Sequence, residues 1–361
     1  TDAVFPQRLE APGMVTDNTA FVIGVDTHRD VHAYAVIDRA TGAIVDEFDA
    51  PADGGGYRQA IARVAATAPT GRVWAIEGTG SYGAGLTSVL GDGREVVVEV
   101  DRPHRHNRDS RGKTDRLDAI RAARHVIAHG AQTQPRTGQG PRQCLRVLMI
   151  ARRGAVAVRS DAIRQLKSLI IGLPDPMRDR LRRLTGDRLA VECAKFRPPR
   201  HNPQHAAHAH ALRAIAKRCL AATDEAAQHK RDIETWVRAI CPQLLDEPGV
   251  GPISAAHLLI AWSHPARLRN EACFARLAGV APIPASSGNT TRHRLDRGGD
   301  RQLNNAIHTI ALTRARTDPQ TKAYIQRRTS EGKTRREALR ALKRHITRHL
   351  YRLLETTSHT P

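Results

Sequence analysis

The sequence predicts an α/β amino-terminal domain with a mixed five-stranded sheet, then an α-helical connecting region and a mainly α-helical carboxy-terminal domain. Two observations support this fold class. Before residue 100, short apolar segments rich in β-branched residues alternate with turn residues and two helical stretches. From residue 141 onward, apolar residues recur at the spacing of amphipathic helices. The chain has 361 residues, which suits two or three domains of roughly 100–200 residues each.

The order of the amino-terminal elements predicts the type of sheet. Strands are predicted over 21–26, 32–38, 43–50, 73–78 and 95–100. Helices are predicted over 54–68, over 81–91 and from Asp115 to His129, the last with Thr114 as its N-cap and Gly130 just past its end. Short turns join the first three strands, which predicts an antiparallel meander. Three antiparallel strands followed by alternating helices and strands are typical of an RNase H-like sheet with helices on its faces.

Changes in composition divide the chain into four parts. We predict a loose tail over 1–17, the sheet domain over 18–132, a helical or coiled-coil connecting region over 133–245 and a carboxy-terminal domain over 246–361. The connecting region contains two long helices, over 141–172 and 206–240, joined by an irregular segment with a break rich in Pro and Arg at 196–203. Such a pair forms either an intramolecular hairpin or an oligomerising coiled coil.

The charge of the chain is large and unevenly distributed. The net charge is +21, but the first 100 residues hold 7 Arg and 14 acidic residues, a net of −7, which leaves +28 for the rest. A basic body attached to an acidic domain predicts a polyanionic partner, most simply nucleic acid. No apolar run reaches the roughly 18–20 residues that cross a bilayer, so no membrane association is expected. Five cysteines without metal-ligand spacing fit a reducing cytoplasm.

Four carboxylates occupy positions at which an RNase H-like sheet would bring them together. Asp26 ends the first strand and Glu77 ends the fourth, and these strands are neighbours in such a sheet. Asp115 and Asp118 are three residues apart on one helix, with Cβ atoms about 5–6 Å apart. Four convergent carboxylates repel each other unless cations lie between them, and Mg²⁺ prefers carboxylate oxygens. A pair of such ions stabilises the attacking and leaving oxygens in phosphoryl transfer.

Other acidic residues compete with this assignment. Asp30 and Asp38 are explained equally well as turn residues. Asp101 follows the fifth strand and is an alternative to Asp115.

Several motifs together resemble one family. The run GKTDRLDAIRAARHV follows IGVDTH and AIEGTG, and PGVGPISAA, LAGVAP, IPASSG and RGGDRQLN come later. In this order they resemble the DEDD transposases of bacterial insertion sequences, the IS-one-ten family, over nearly all of residues 20–355. The resemblance implies a RuvC-like domain whose metal-binding tetrad is Asp26, Glu77, Asp115 and Asp118.

The resemblance also implies a serine nucleophile in the carboxy-terminal domain. The family's Ser-Gly pair falls on Ser287, and the adjacent Ser286 remains an alternative. A serine that attacks a phosphodiester forms a covalent protein–DNA intermediate, which conserves bond energy through strand exchange. Four nearby arginines are expected to stabilise the developing phosphate charge: Arg292, Arg294, Arg297 and Arg301. The family often has Arg where this chain has Asn304, so no role is carried over to that position.

Two further features are expected to contact nucleic acid. The PGVGP turn contains Gly249 and Gly251 and resembles a helix-hairpin-helix element, which presents backbone N–H groups to a phosphate. Its alternative is a plain turn between helices. Lys113 precedes the Asp115 helix and is a candidate nucleic-acid contact.

The resemblance implies a DNA recombinase with particular partners. They are Mg²⁺, donor and target DNA, a structured guide called the bridge RNA, and copies of the chain that form homodimers and then a homotetramer in the bacterial cytoplasm. One alternative is a RuvC-type nuclease that uses water as its nucleophile. A second is a non-catalytic nucleic-acid-binding protein.

Overall fold

The computed structural model describes residues 18–100, 115–130, 133–136, 138, 140–197, 202–285, 293–294, 296 and 298–357. The predicted tail over 1–17 lies outside them. The strands are β1 (Phe21–Thr27), β2 (Val31–Asp38), β3 (Ile44–Pro51), β4 (Arg72–Glu77), β5 (Val96–Val100), β6 (Ile283–Pro284) and β7 (His293–Arg294). The helices are α1 (Gly54–Thr67), α2 (Ala84–Asp92), α3 (Asp115–His129), α4 (Pro141–Ile170), α5 (Asp175–Arg182), α6 (Gly186–Ala194), α7 (Pro203–Ile240), α8 (Gln243–Asp246), α9 (Pro252–Trp262), α10 (Glu271–Leu277), α11 (Arg301–Thr317), α12 (Pro319–Ser330) and α13 (Arg335–Thr357).

The predicted five-stranded mixed sheet is confirmed. Its strand order is β3-β2-β1-β4-β5. The pairs β1–β2 and β2–β3 are antiparallel, whereas β1–β4 and β4–β5 are parallel. Because β1 and β4 run in the same direction, with Val25 opposite Ile76, both strands end at the same edge of the sheet. That edge carries Asp26 and Glu77.

Helices cover both faces of the sheet. Val25, Trp74 and Ile76 belong to a buried core that also contains residues of α1 and α2, such as Val64 and Leu86. The alternate residues of the same strands point to the other face. There they form a second core with α3, whose members include Val22, Ala75, Ala119, Ala123 and Val126. Since Asp26 is four residues from Val22, it lies on the face that α3 covers.

The chain forms two compact units. One joins Thr1–Gln143 with His257–Pro361, and the other is Cys144–Ala256. Within the second unit, α4 and α7 share a buried core that includes Leu166 and Leu212. The two helices therefore pack against each other within one chain, as in the intramolecular hairpin that was one of the two predicted arrangements. The segment between these helices, predicted as irregular, instead contains α5 and α6, which bury Leu181, Leu189 and Cys193 against the same core.

The carboxy-terminal part of the first unit is mainly helical, as predicted. The hydroxyl of Tyr351 on α13 donates to the Leu268 carbonyl at 2.8 Å, and its ring packs 5.6 Å from that of Phe274 on α10. The hairpin of β6 and β7 lies between α10 and α11 in the chain. In the part of the chain that is described, no helix is both long enough and apolar enough to cross a membrane.

Candidate active site

The ends of β1 and β4 bring two of the predicted carboxylates to one edge of the sheet. Asp26 precedes the last residue of β1, and its side chain is only 13% exposed. Glu77 is the last residue of β4. The Thr27 hydroxyl donates a hydrogen bond to the Glu77 carbonyl at 2.8 Å. This bond joins the ends of the two strands beyond Val25 and Ile76, their last paired residues. The parallel register therefore places both acids at the same edge of the sheet.

Helix α3 contributes the other two carboxylates from its first turn. Asp115 and Asp118 lie there, where negative charge is favourable at a helix amino terminus. The helix packs tightly on β1 at Gly24, where an added Cβ would lie 1.9 Å from the Ala119 carbonyl oxygen. Only glycine permits this approach. The contact holds α3 against β1, and the first turn of the helix then lies beside the carboxyl end of the strand.

The imidazole of His28 lies between carboxylates of the two elements. Its Nδ1 is 3.7 Å from the nearer Asp26 oxygen and 3.8 Å from the nearer Asp115 oxygen. Asp118 has a different neighbour, the Arg121 guanidinium, which donates to it at 2.8 Å. The sequence reasoning missed His28, although the Asp-x-His spacing across a strand end was a usable signal.

The pKa of Asp26 reflects its burial and its charged neighbours. Burial, opposed by the adjacent His28 and reinforced by the negative charges of Glu77, Asp118 and Asp115, raises the pKa of Asp26 from its ordinary value of 3.8 to about 6. A carboxyl group that is difficult to ionise among three others is a favourable place for a cation.

The donor atoms have the spacing of a cation site. One ligand atom each from Asp26, His28 and Asp115 lie within 4.8 Å of one another. Two carboxylates and an imidazole are all common ligands of divalent ions, so the residues present fit a divalent cation.

The acidic alternatives are engaged elsewhere or lie outside the described residues. The Asp30 carboxylate accepts hydrogen bonds from Arg29 at 2.9–3.1 Å. Asp38 accepts from the Thr41 backbone and hydroxyl in a turn. Asp101 is not among the described residues.

The structure describes only some of the other predicted site residues. Arg294 is exposed on β7, and Arg301 is exposed at the start of α11. Gly249 has a positive φ of 75° in the turn between α8 and α9, where the Val250 N–H donates to the Glu247 carbonyl, and Gly251 immediately precedes α9. The remaining residues lie outside the described ranges: Lys113, Ser286, Ser287, Arg292 and Arg297.

Asn304, the departure from the resemblance, has a structural role. Its Nδ2 donates to the carbonyls of Ala278 and Gly279 at 2.6 and 3.2 Å. Its Oδ1 accepts from the buried Lys343 ammonium at 3.1 Å. The side chain thus joins α11 to the end of α10 and to α13.

The sheet order, the carboxylates at its edge and the helix that completes the cluster define a RuvC-like domain of the DEDD type. Comparison with known families agrees: the DEDD transposase model of IS110 matches residues 23–173, and the model described as "Transposase IS116/IS110/IS902 family" matches residues 241–326. The chain belongs to this family of insertion-sequence transposases.

Two relatives match shorter segments. An uncharacterized 43.6 kDa protein of insertion element IS110 from Streptomyces coelicolor is 32% identical over 134 residues, which are 35% of this chain and 33% of the relative. An uncharacterized 42 kDa protein of insertion element IS900 from Mycobacterium paratuberculosis is 34% identical over 113 residues, 31% of this chain and 28% of the relative. The matched segments thus span about a third or less of each relative's length.

Proposed function

We propose that the chain is a DNA transposase that cuts and rejoins strands at the carboxylate cluster. The observation that carries the proposal is the cluster at one edge of a RuvC-like sheet, where ligand atoms of Asp26, His28 and Asp115 lie within 4.8 Å of one another. Membership of a transposase family supports the substrate class, which is the DNA of an insertion sequence and its target.

The cluster would hold Mg²⁺ through Asp26, Glu77, Asp115 and Asp118. When bound, the ion supplies stabilisation of the charge that develops on phosphoryl oxygens. The protein supplies the positions of the ligands. The Thr27–Glu77 hydrogen bond fixes the strand ends, and the contact of Gly24 with Ala119 fixes α3 against β1.

The nucleophile in this proposal is the hydroxyl of Ser287. Its oxygen forms a bond to phosphorus while the bond from phosphorus to one deoxyribose oxygen breaks. The serine proton leaves to a base, and the departing deoxyribose oxygen ends as a hydroxyl group. Attack by that or another DNA hydroxyl then releases the serine and rejoins a strand. Support comes from the Ser-Gly pair of the resemblance and from the exposed guanidinium groups of Arg294 and Arg301 near it in the sequence.

The partners proposed are a structured guide RNA and further copies of the chain. The +28 net charge beyond residue 100 supports a large polyanionic partner. A homodimer that assembles to a homotetramer in the bacterial cytoplasm is proposed from the resemblance. The basic helices α4, α7 and α13 are the surfaces proposed for RNA or DNA.

The experiment compares recombination with nucleic-acid binding in the same preparations. Asp26→Ala and Glu77→Ala are expected to abolish recombination in Mg²⁺ while binding stays near wild type, because the acids lie in the acidic part of the chain. Asp92→Ala is the matched control, since this acid is exposed at the end of α2 in the same domain. Wild-type recombination by either cluster variant would remove that residue from the site. A function unaffected by loss of all four acids would identify a non-catalytic binding protein.

A further inference from the structure

A nitrogen atom faces the oxygen ligands of the proposed cation site. The His28 Nδ1 lies 3.7 Å from Asp26 and 3.8 Å from Asp115, although the two acids belong to different elements. At bond lengths of about 2.0–2.2 Å, two ligands of one ion are about 3 Å apart at right angles and about 4.3 Å apart when opposite. The observed separations fall between these values.

The main chain of His28 is held in place by a buried neighbour. The His28 N–H donates to Nδ1 of His32 at 3.3 Å. His32 is fully buried and stacks on the ring of Tyr57, with centroids 5.7 Å apart. The preceding residue, Thr27, is tied to the Glu77 carbonyl. The turn after β1 is thus fixed on both sides of the imidazole, as the residues that orient a metal ligand often are.

We infer that His28 is a nitrogen ligand of the divalent cation that Asp26 and Asp115 hold. The inference rests on the cation site of the proposed function and adds a residue outside its carboxylate tetrad. Mg²⁺ favours oxygen ligands, whereas imidazole binds first-row transition ions well. A mixed nitrogen and oxygen site therefore binds Mn²⁺ more tightly relative to Mg²⁺ than a site of carboxylates alone would.

The test detects the metal–nitrogen bond directly, without any activity measurement. The metal-free full-length chain is titrated with Mn²⁺, and pulsed electron paramagnetic resonance records whether a ¹⁴N nucleus couples to the bound ion. The wild type is expected to show the coupling. His28→Ala is expected to lose the coupling and to bind Mn²⁺ at least about tenfold more weakly.

Two further variants distinguish loss of the nitrogen ligand from a nonspecific effect of substituting a histidine. His129→Ala should keep the coupling, because that histidine is at the other end of α3, about 21 Å from Asp115 at 1.5 Å per residue. His28→Asp replaces nitrogen by oxygen at the same position. It should restore cation binding without the ¹⁴N coupling and reduce the preference for Mn²⁺ over Mg²⁺ about tenfold.

The outcomes distinguish the inference from the proposed function. If Asp26→Asn abolishes Mn²⁺ binding but the wild type shows no ¹⁴N coupling, or His28→Ala retains it, the inference about His28 is overturned and the carboxylate site stands. If Asp26→Asn leaves Mn²⁺ binding unchanged, or the wild type binds no Mn²⁺, the cation site itself fails, and the inference fails with it.

Discussion

Asp26 is a carboxyl group that the fold keeps from ionising easily. Its side chain is 13% exposed, and burial together with three acidic neighbours raises its pKa to about 6. A raised pKa means that the folded chain binds the proton more tightly than the unfolded chain does. Asp26 therefore contributes stability below about pH 4, and this contribution is lost as the pH rises through about 6.

The first prediction concerns Asp26→Asn without metal. At pH 7 the asparagine variant is expected to be more stable than wild type, by up to about 3 kcal/mol from the size of the pKa shift. Near pH 4 the difference should largely vanish. Urea unfolding in a chelator between pH 4 and pH 8 measures it.

Two comparisons make this prediction specific. Asp92→Asn, an exposed acid of the same domain, should show no comparable pH-dependent gain. Adding Mn²⁺ at pH 7 should stabilise the wild type more than Asp26→Asn, because the ion binds only the folded cluster. A difference that stays constant from pH 4 to pH 8 would contradict the proposed environment of Asp26.

At the scale of elements, the cluster depends on how closely α3 approaches β1. The second prediction is that Gly24→Ala separates them, because its Cβ would lie 1.9 Å from the Ala119 carbonyl oxygen. We expect a loss of about 1–3 kcal/mol in unfolding free energy, as for other overpacked cores. Weaker Mn²⁺ binding should accompany it, since Asp115 and Asp118 move with the helix.

Gly91→Ala is the matched control for Gly24→Ala. An added Cβ at Gly91 has no atom within 4 Å, and the position lies inside α2. Alanine there should stabilise the helix by about 0.5–1 kcal/mol and leave Mn²⁺ binding unchanged. Equal effects of the two substitutions in unfolding and metal titration would show that the contact of Gly24 is unimportant.

The sheet was predictable because its signals are local. Apolar runs bounded by turns mark β1, β2 and β3, and a carboxylate lies at or next to the last residue of β1 and of β4. The Asp-x-His spacing could have indicated that His28 lies near Asp26, but its proximity to Asp115 was not predictable, since that depends on where the first turn of α3 packs. The helices α5 and α6 were missed for a similar reason. Each is short, and burial of Leu181 and Leu189 in a core shared with α4 and α7 stabilises it.

At the scale of the molecule, a buried ion pair joins the sheet to the segment before α10. The Arg267 guanidinium donates to Glu99 of β5 at 2.7 Å, and the two side chains are 1% and 5% exposed. Arg267 also donates to the Ala261 carbonyl at 2.9 Å, and Arg136 lies 3.4 Å from the other Glu99 oxygen. The strand pattern gave no indication of this pair, because its partners are 168 residues apart.

The third prediction is that Arg267→Met destabilises the chain by about 3–5 kcal/mol, because it leaves the Glu99 charge buried with a weaker partner. Adding Glu99→Leu should recover much of the loss, since a buried pair replaced on both sides costs less than a broken one. Arg29→Met, which breaks an exposed pair with Asp30, is the control and should leave chemical denaturation unchanged. A small loss for Arg267→Met would show that the pair does not hold these segments together.

The fourth prediction follows from the separation of charge along the chain. With +28 beyond residue 100, nucleic-acid affinity should fall steeply with salt, with a slope of log K against log salt near −0.9 per phosphate contacted on duplex DNA and about −0.7 on single strands. About six to ten contacts would lower the affinity roughly 10³–10⁵-fold between 50 and 200 mM salt. A titration that gives a flat line would contradict an electrostatic binding surface.

The most direct test of the proposed chemistry is a search for DNA covalently linked to the protein. Active wild-type protein with DNA and Mg²⁺ is denatured and separated on a gel, and the linked peptide is mapped. We expect an adduct on Ser287 that requires the divalent ion, is absent from Ser287→Ala and Asp26→Ala, and persists in Ser286→Ala. An adduct lost only in Ser286→Ala would move the nucleophile by one residue. Recombination or cleavage without any adduct would contradict the serine mechanism and favour a nuclease that uses water.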